Sequence, residues 1–223
     1  MSDQPKPNVA GSLLITHQII TRALTTAKEN AQTFADQGFP DQSTLDGFTK
    51  YARALTSFLN GHHLIEDDIA FPYFADKLID APFDLLVGQH HAMVVLLDQI
   101  NQAVEKCQQA DQQPQGLAEL NQAFPELEEM WFPHIQIEEQ HFTPQKLDRL
   151  LPLEEHLRLI RLFSEYSQKH TGPASLVIPF MLYNLPPDTR AIMAQGLPLE
   201  VTQNLVPKVW KAEWKPMKPF LLD

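Results

Sequence analysis

Two stretches of this chain, 72 residues apart, carry the same polar residues in the same order. Residues 58–72 read FLNGHHLIEDDIAFP and residues 130–144 read MWFPHIQIEEQHFTP, so that His62 pairs with His134, Glu66 with Glu138 and Pro72 with Pro144. Upstream, THQII around His17 aligns with QHHAM around His90 at an offset of 73. Each half therefore holds one segment with a histidine and one with His-x-x-x-Glu. Residues four apart stack on one face of an α-helix. The apolar neighbours tell which face this is: Leu55, Phe58, Ile65 and Ile69 accompany His62, and Leu127, Met130 and Ile137 accompany His134. The repeated polar residues are thus expected to point into a helical core, where an uncompensated carboxylate is costly.

Apolar residues recur with helical spacing in four long segments, with Gly and Pro between them. The spacing predicts helices over about 13–36, 43–75, 83–109 and 117–150, the second bent near Gly61 or Pro72 and the fourth kinked or bounded at Pro125 and Pro133. Leu13, Leu14, His17, Ile20 and Leu24 share one face of the first. No useful stretch alternates with a period of two. The expected fold is all-α, an up-down-up-down four-helix bundle over residues 12–150. It follows a mobile tail over 1–11 and precedes a C-terminal helical extension over 151–223. The extension begins with an amphipathic helix over 153–169, and eight prolines from Pro173 to Pro219 then divide it into short pieces. Its aromatic residues, Phe180, Tyr183, Trp210, Trp214 and Phe220, are too much apolar surface to leave in water. They are expected to pack on the bundle or on a second copy in a homodimer.

Composition removes several alternatives. With 17 Lys and Arg against 28 Asp and Glu the formal charge is −11, which repels phosphate backbones and argues against a nucleic-acid partner. No run of about 18 apolar residues suggests a membrane span. The polar, Pro-bearing N-terminus lacks the features of a signal peptide, so a cytoplasmic location is expected. The lone Cys107 excludes an internal disulfide and a thiolate-rich zinc site, and is read as an inert surface thiol.

Four interior histidines and two interior glutamates, repeated in register, point to a pair of metal ions shared between the halves. Nitrogen and oxygen donors without sulfur suit iron, manganese or zinc. The sequence resembles the hemerythrin-like HHE cation-binding family, whose helices carry His, His-x-x-x-Glu, His and His-x-x-x-Glu. The residues carrying the resemblance are His17, His62 and Glu66 with Phe71-Pro72, His90, and His134 and Glu138 with Phe142 and Pro144 nearby. It implies a non-haem site with two iron ions, bridged by the two glutamates and an oxo or hydroxo group. The chain departs from oxygen-carrying hemerythrins, which place a further histidine four residues after His90 and an aspartate at the end of the fourth helix. Here Val94 stands at the first position, and Glu138 or Glu139 replaces the second. Either the site is more open or a neighbouring histidine completes it. His141, seven residues after His134, is a candidate ligand. His91, rotated about 100° from His90, is a weaker one. His63 is expected at the helix surface or beside the ligands, and His156 and His170 on the surface.

An open site leads to the expectation of a metal protein that binds or reacts with oxygen, peroxide or nitric oxide. The alternative is an iron- or oxygen-responsive sensor whose extension changes its docking. A ferritin-like oxidase is rejected. Glu138-x-x-His141 fits one of its elements, but Ile69 stands where the first half would need the matching histidine.

Overall fold

The computed structural model describes residues 7–223 and, among these, contains helices and connections without strands. Four long helices dominate: α1 Val9–Gln37, α2 Gln42–Ile65, α4 Phe83–Cys107 and α5 Gln113–His141. Between α2 and α4 lie a π-helical turn, Glu66–Ala70, and the short α3, Phe71–Phe74. The long helices close a ring of contacts, α1 with α2, α2 with α4, α4 with α5 and α5 with α1. Side chains cap the starts of α1 and α2: Asn8 accepts from the Ala10 N–H and Asp41 from that of Thr44. Gly38, at φ 74°, ends α1.

Two apolar clusters fill the bundle. One contains Ile19, Leu55, Leu59, Met93, Ile100 and Phe124. The other contains Ala10, Phe71, Phe74, Leu86 and Phe142. Along α1 and α4 the second cluster comes first; along α2 and α5 the order reverses. The repeated histidines and glutamates form a polar belt where the two meet. Leu14 is exposed, against expectation, and the buried Ile19 takes its place in the core.

The extension comprises α6 Pro144–Leu150, α7 Leu153–His170, α8 Ala174–Tyr183, α9 Pro187–Gln195, a π-helical segment Val201–Val209, α10 Lys211–Trp214 and a 3₁₀ turn Lys215–Phe220. It packs on its own bundle, chiefly against α2, and Phe180, Leu185, Met217 and Phe220 join the first apolar cluster. Polar side chains fasten it: Tyr51 donates to Asn184 Oδ1 at 2.8 Å, and Arg22 reaches the same oxygen and donates to the Phe220 carbonyl at 3.0 Å. Burial pushes the Tyr51 phenol up to about 12. Two glycines of α2 make this docking close. A Cβ at Gly47 would meet the Pro216 carbonyl oxygen at 2.1 Å, and one at Gly61 would meet Thr171 Cγ2 at 2.1 Å. Gly61 is therefore a notch for the extension, not a bend.

Other expectations need correction. Of the expected tail, residues 1–6 lie outside the described residues, but Val9 and Ala10 are buried and already helical. His156, expected on the surface, is 2% exposed and accepts from the Val9 N–H at 3.2 Å. These two errors share one cause, since each residue supplies the other's cover across 147 positions of sequence. Pro125 and Pro133 neither end nor divide α5, which runs through both and stops at His141. Cys107 is buried, its thiol pushed up to about 11 by burial and by Glu119.

Candidate metal centre

Each long helix delivers its repeated residues to the belt. His17, His62, Glu66, His90, His134 and Glu138 are all buried, none more than 6% exposed. Their donor atoms fall into two groups of four, His17, His62, Glu66 and Glu138, and Glu66, His90, His134 and Glu138, within each of which the atoms lie no more than 4.8 Å apart. Both groups share both carboxylates. His17 Nε2 lies 3.0 Å from Glu138 Oε2, His134 Nε2 is 3.2 Å from Glu138 Oε1, and Glu66 Oε2 lies 3.4 Å from His62 Nε2 and 3.5 Å from His90 Nε2. Such separations are those of neighbouring corners around an ion bound at about 2.1 Å.

The outer edges of the rings are anchored. His90 Nδ1 is 2.7 Å from Asp67 Oδ1, His17 Nδ1 is 2.9 Å from Glu139 Oε1, and His134 Nδ1 is 2.9 Å from Gln89 Oε1. Each oxygen accepts a hydrogen bond from Nδ1–H, which leaves the Nε2 lone pair turned inward. The inward Nε2 atoms of His90 and His134 then face each other at 3.1 Å. Two lone pairs at that distance repel unless a cation lies near. His17 Nε2, His62 Nε2, Glu66 Oε2 and both Glu138 oxygens are buried without a hydrogen-bond partner. This is the pattern expected of donors shaped for metal.

In the protein alone, burial and the Glu138 charge raise the Glu66 carboxyl well above the usual range. Burial also works to raise Glu138, but the imidazoles of His134, His17 and His90 packed against it outweigh this and hold that carboxyl well below the range. Burial disfavours the charged form of His17, yet Glu138 and Glu139 raise it. His90 is raised against burial by Asp67 and Glu138. Burial lowers His62 strongly, and the neighbouring His17 adds to this. Two carboxylates and four imidazoles thus meet where water cannot screen them.

The remaining histidines separate cleanly. His91 is exposed, and His141 is half-buried and belongs to none of the convergent groups. His170 is exposed, as expected. His63, expected at the helix surface or beside the ligands, is buried with neither ring nitrogen partnered, and it also falls in a group with His90 and His134. It stacks on His90 with centroids 4.0 Å apart and planes 13° apart. Ring-nitrogen lone pairs lie in the ring plane, so two stacked imidazoles do not aim at one ion. His63 instead clamps His90, whose other face is covered by Phe71 at 5.5 Å and 17°.

Asp67, Glu139, Gln89 and Trp131 were not singled out from the sequence as anchors or walls. Asp67 and Glu139 had a legible signal, because they pair at the same offset of 72 as the ligand candidates. Trp131 had none. It lies beside the belt, edge-on to His17 at 5.5 Å, with its indole N–H donated to Thr21.

A helical protein with such a belt has His and Glu groups that could hold metal cations. The family model for the hemerythrin HHE cation binding domain matches residues 13–145, more than half of the 223-residue chain, and the chain belongs to that family. No curated protein and no solved structure gives a significant match. Among the described residues no helix is long and apolar enough to cross a membrane.

Proposed function

We propose that the chain holds two metal ions, iron by preference, and uses them to bind or react with oxygen, peroxide or nitric oxide. The observation that carries this is the sharing of Glu66 and Glu138 by two otherwise separate donor groups. His17 and His62 would hold one ion, His90 and His134 the other, and the two carboxylates would bridge them. The same nitrogen and oxygen donors would also accept manganese or zinc. The reversed order of the two apolar clusters on alternate helices supports an up-down-up-down arrangement.

When bound, iron would supply open coordination positions and a change of oxidation state, because each group offers only four protein donors. The chain's own residues do the rest. Asp67, Glu139 and Gln89 fix ring orientation and tautomer. Trp131, Phe71 and Phe142 exclude water from the belt. His141, half-buried near the end of α5 and outside the convergent groups, is not among the proposed ligands.

Anaerobic reconstitution with ferrous iron tests this reading. Two irons per chain are expected, with new optical bands on exposure to oxygen, peroxide or nitric oxide. Binding of fewer than two would sink the shared-bridge reading. Many turnovers of peroxide would define an enzyme, and a stable oxygen adduct a carrier or sensor.

A further inference from the structure

Beside the metal belt, between α1, α2 and the extension, lies a pocket of about 650 Å³. Binding sites for small organic molecules commonly fall between roughly 300 and 1,000 Å³. One wall follows α2 and α3 from Phe58 to Phe74, a run of roughly 24 Å at 1.5 Å per residue. The facing wall is built from the extension, with Phe163 of α7, Ile178 and Met181 of α8, Met193 of α9 and Trp210 beyond it. His62 and Glu66 open onto this space.

The lining chemistry narrows the occupant. Among the described residues, His62 and Glu66 are the only titratable side chains that line it, and no Lys or Arg does. A charged headgroup held beside His62 and Glu66 would meet no Lys or Arg among the described residues, and burying it unpaired would be costly. A peptide segment is a poor fit as well, since each buried residue needs partners for its N–H and C=O. The wall offers the Gln168 amide and a few hydroxyls, among them Ser164, Ser167 and Thr171. A docked helix about 10 Å across would fill the whole volume in roughly two turns. What remains is a long, thin molecule that needs one or two hydrogen bonds at most.

We infer that this pocket binds an uncharged, elongated lipid-like molecule, such as a long-chain alcohol or aldehyde, with one end beside His62 and Glu66. Its placement beside the metal ions rests on the function proposed above; the pocket itself does not. The ligand would be the organic partner held next to the site where small oxidants bind. The polar end has the Ser164, Ser167 and Thr171 hydroxyls within the same pocket.

The test uses the full chain, metal-free and iron-loaded, with the uncharged dye Nile red as probe and 1-dodecanol as competitor. One-to-one saturable binding is expected. Dodecanoate and dodecyltrimethylammonium should compete about tenfold less well or worse with metal-free protein. Ser164→Trp and Met193→Trp intrude from different walls, so either that folds with native helix content should weaken binding about tenfold or more. Absence of saturable binding, equal competition by the charged chains, or full affinity in both folded variants would overturn the inference. So would dye release that tracks dimer formation in sedimentation, which would make a second copy the occupant. Iron is counted separately: dodecanol binding without iron uptake would leave the pocket standing and remove only the metal reading. With both present, dodecanol should shift the ferric optical bands, and unchanged bands would overturn its placement beside His62.

Discussion

The two halves of the bundle use the same residues but wind differently after their glutamates. In the second half, α5 stays α-helical past Glu138, and the Phe142 N–H donates to the Glu138 carbonyl, four residues back. In the first, the chain enters a π turn, and the Phe71 N–H donates to the Glu66 carbonyl, five residues back. The numbering shows why. Glu66 and Glu138 pair at an offset of 72, Phe71 and Phe142 at 71, so the first half carries one extra residue between glutamate and phenylalanine. A π turn absorbs a single inserted residue without breaking the helix. The two rings consequently arrive together at the end of the belt, with centroids 6.3 Å apart.

Across the halves the support is reciprocal. Glu66 and Asp67 flank His90, while Glu138 and Glu139 flank His17. Symmetry stops at the second histidines. His134 is anchored by Gln89, whereas His62 lines the apolar pocket under the extension. The outer faces differ as well: Gly61 is covered by Thr171, and its counterpart by the repeat, Pro133, is exposed. One half is thus tied to the extension and the other left facing outward. The repeated core is compatible with both, because only the inward residues are constrained to match.

The largest effect expected is loss of metal. If the carboxylates are shared, Glu66→Ala or Glu138→Ala should empty both positions, while His62→Ala or His134→Ala should remove one ion. Metal-to-protein ratios after gel filtration check this, and Glu variants that keep both ions would break the comparison. Next comes Phe71→Ala. Truncating this buried ring should cost about 3–5 kcal/mol in urea unfolding of the metal-free protein. Phe142→Ala should cost a similar amount but leave the stack on His90 intact. A much smaller cost for Phe71 would mean that the π turn does not serve to place it.

Asp67→Asn and Glu139→Gln sharpen the reciprocity. Each should lower metal affinity by about 10–100-fold in chelator competition, as losses of ligand-orienting partners do. Similar losses are expected from both, and an effect confined to one would show that only one half needs its anchor. The smallest effects concern the outer faces. Gly61→Ala should destabilise by about 1–3 kcal/mol, since its Cβ would collide with Thr171. Gly88→Ala in α4, with nothing within 4 Å, should stabilise by about 0.5–1 kcal/mol. A Gly61→Ala variant as stable as the parent would show that the extension does not seat tightly on α2.

Much of this was legible in the sequence. Helical periodicity marked the four long helices, and the register of His17, His62, Glu66, His90, His134 and Glu138 marked the belt, because period and spacing are local properties of a helix. The same reasoning set His91 and His63 at the same rotation from their neighbours, yet one is exposed and the other buried. What separates them is the packing of other helices around α2, which no single helix encodes. Proline at 125 and 133 looked like breaks, but tertiary burial of Phe124, Trp131 and His134 on the inner face holds α5 together.

Local patterning makes the chain helical and sets two matched halves to present histidine and carboxylate to one core. That follows from hydrophobic periodicity and from the exact repeat of residues whose burial demands compensation. Packing between helices sets which atoms converge, that Asp67 and Glu139 each cross to the other half, and that the extension forms an apolar pocket against His62 and Glu66. Those contacts join residues from 23 to more than 120 positions apart. Long-range packing selects them, and local spacing leaves them open.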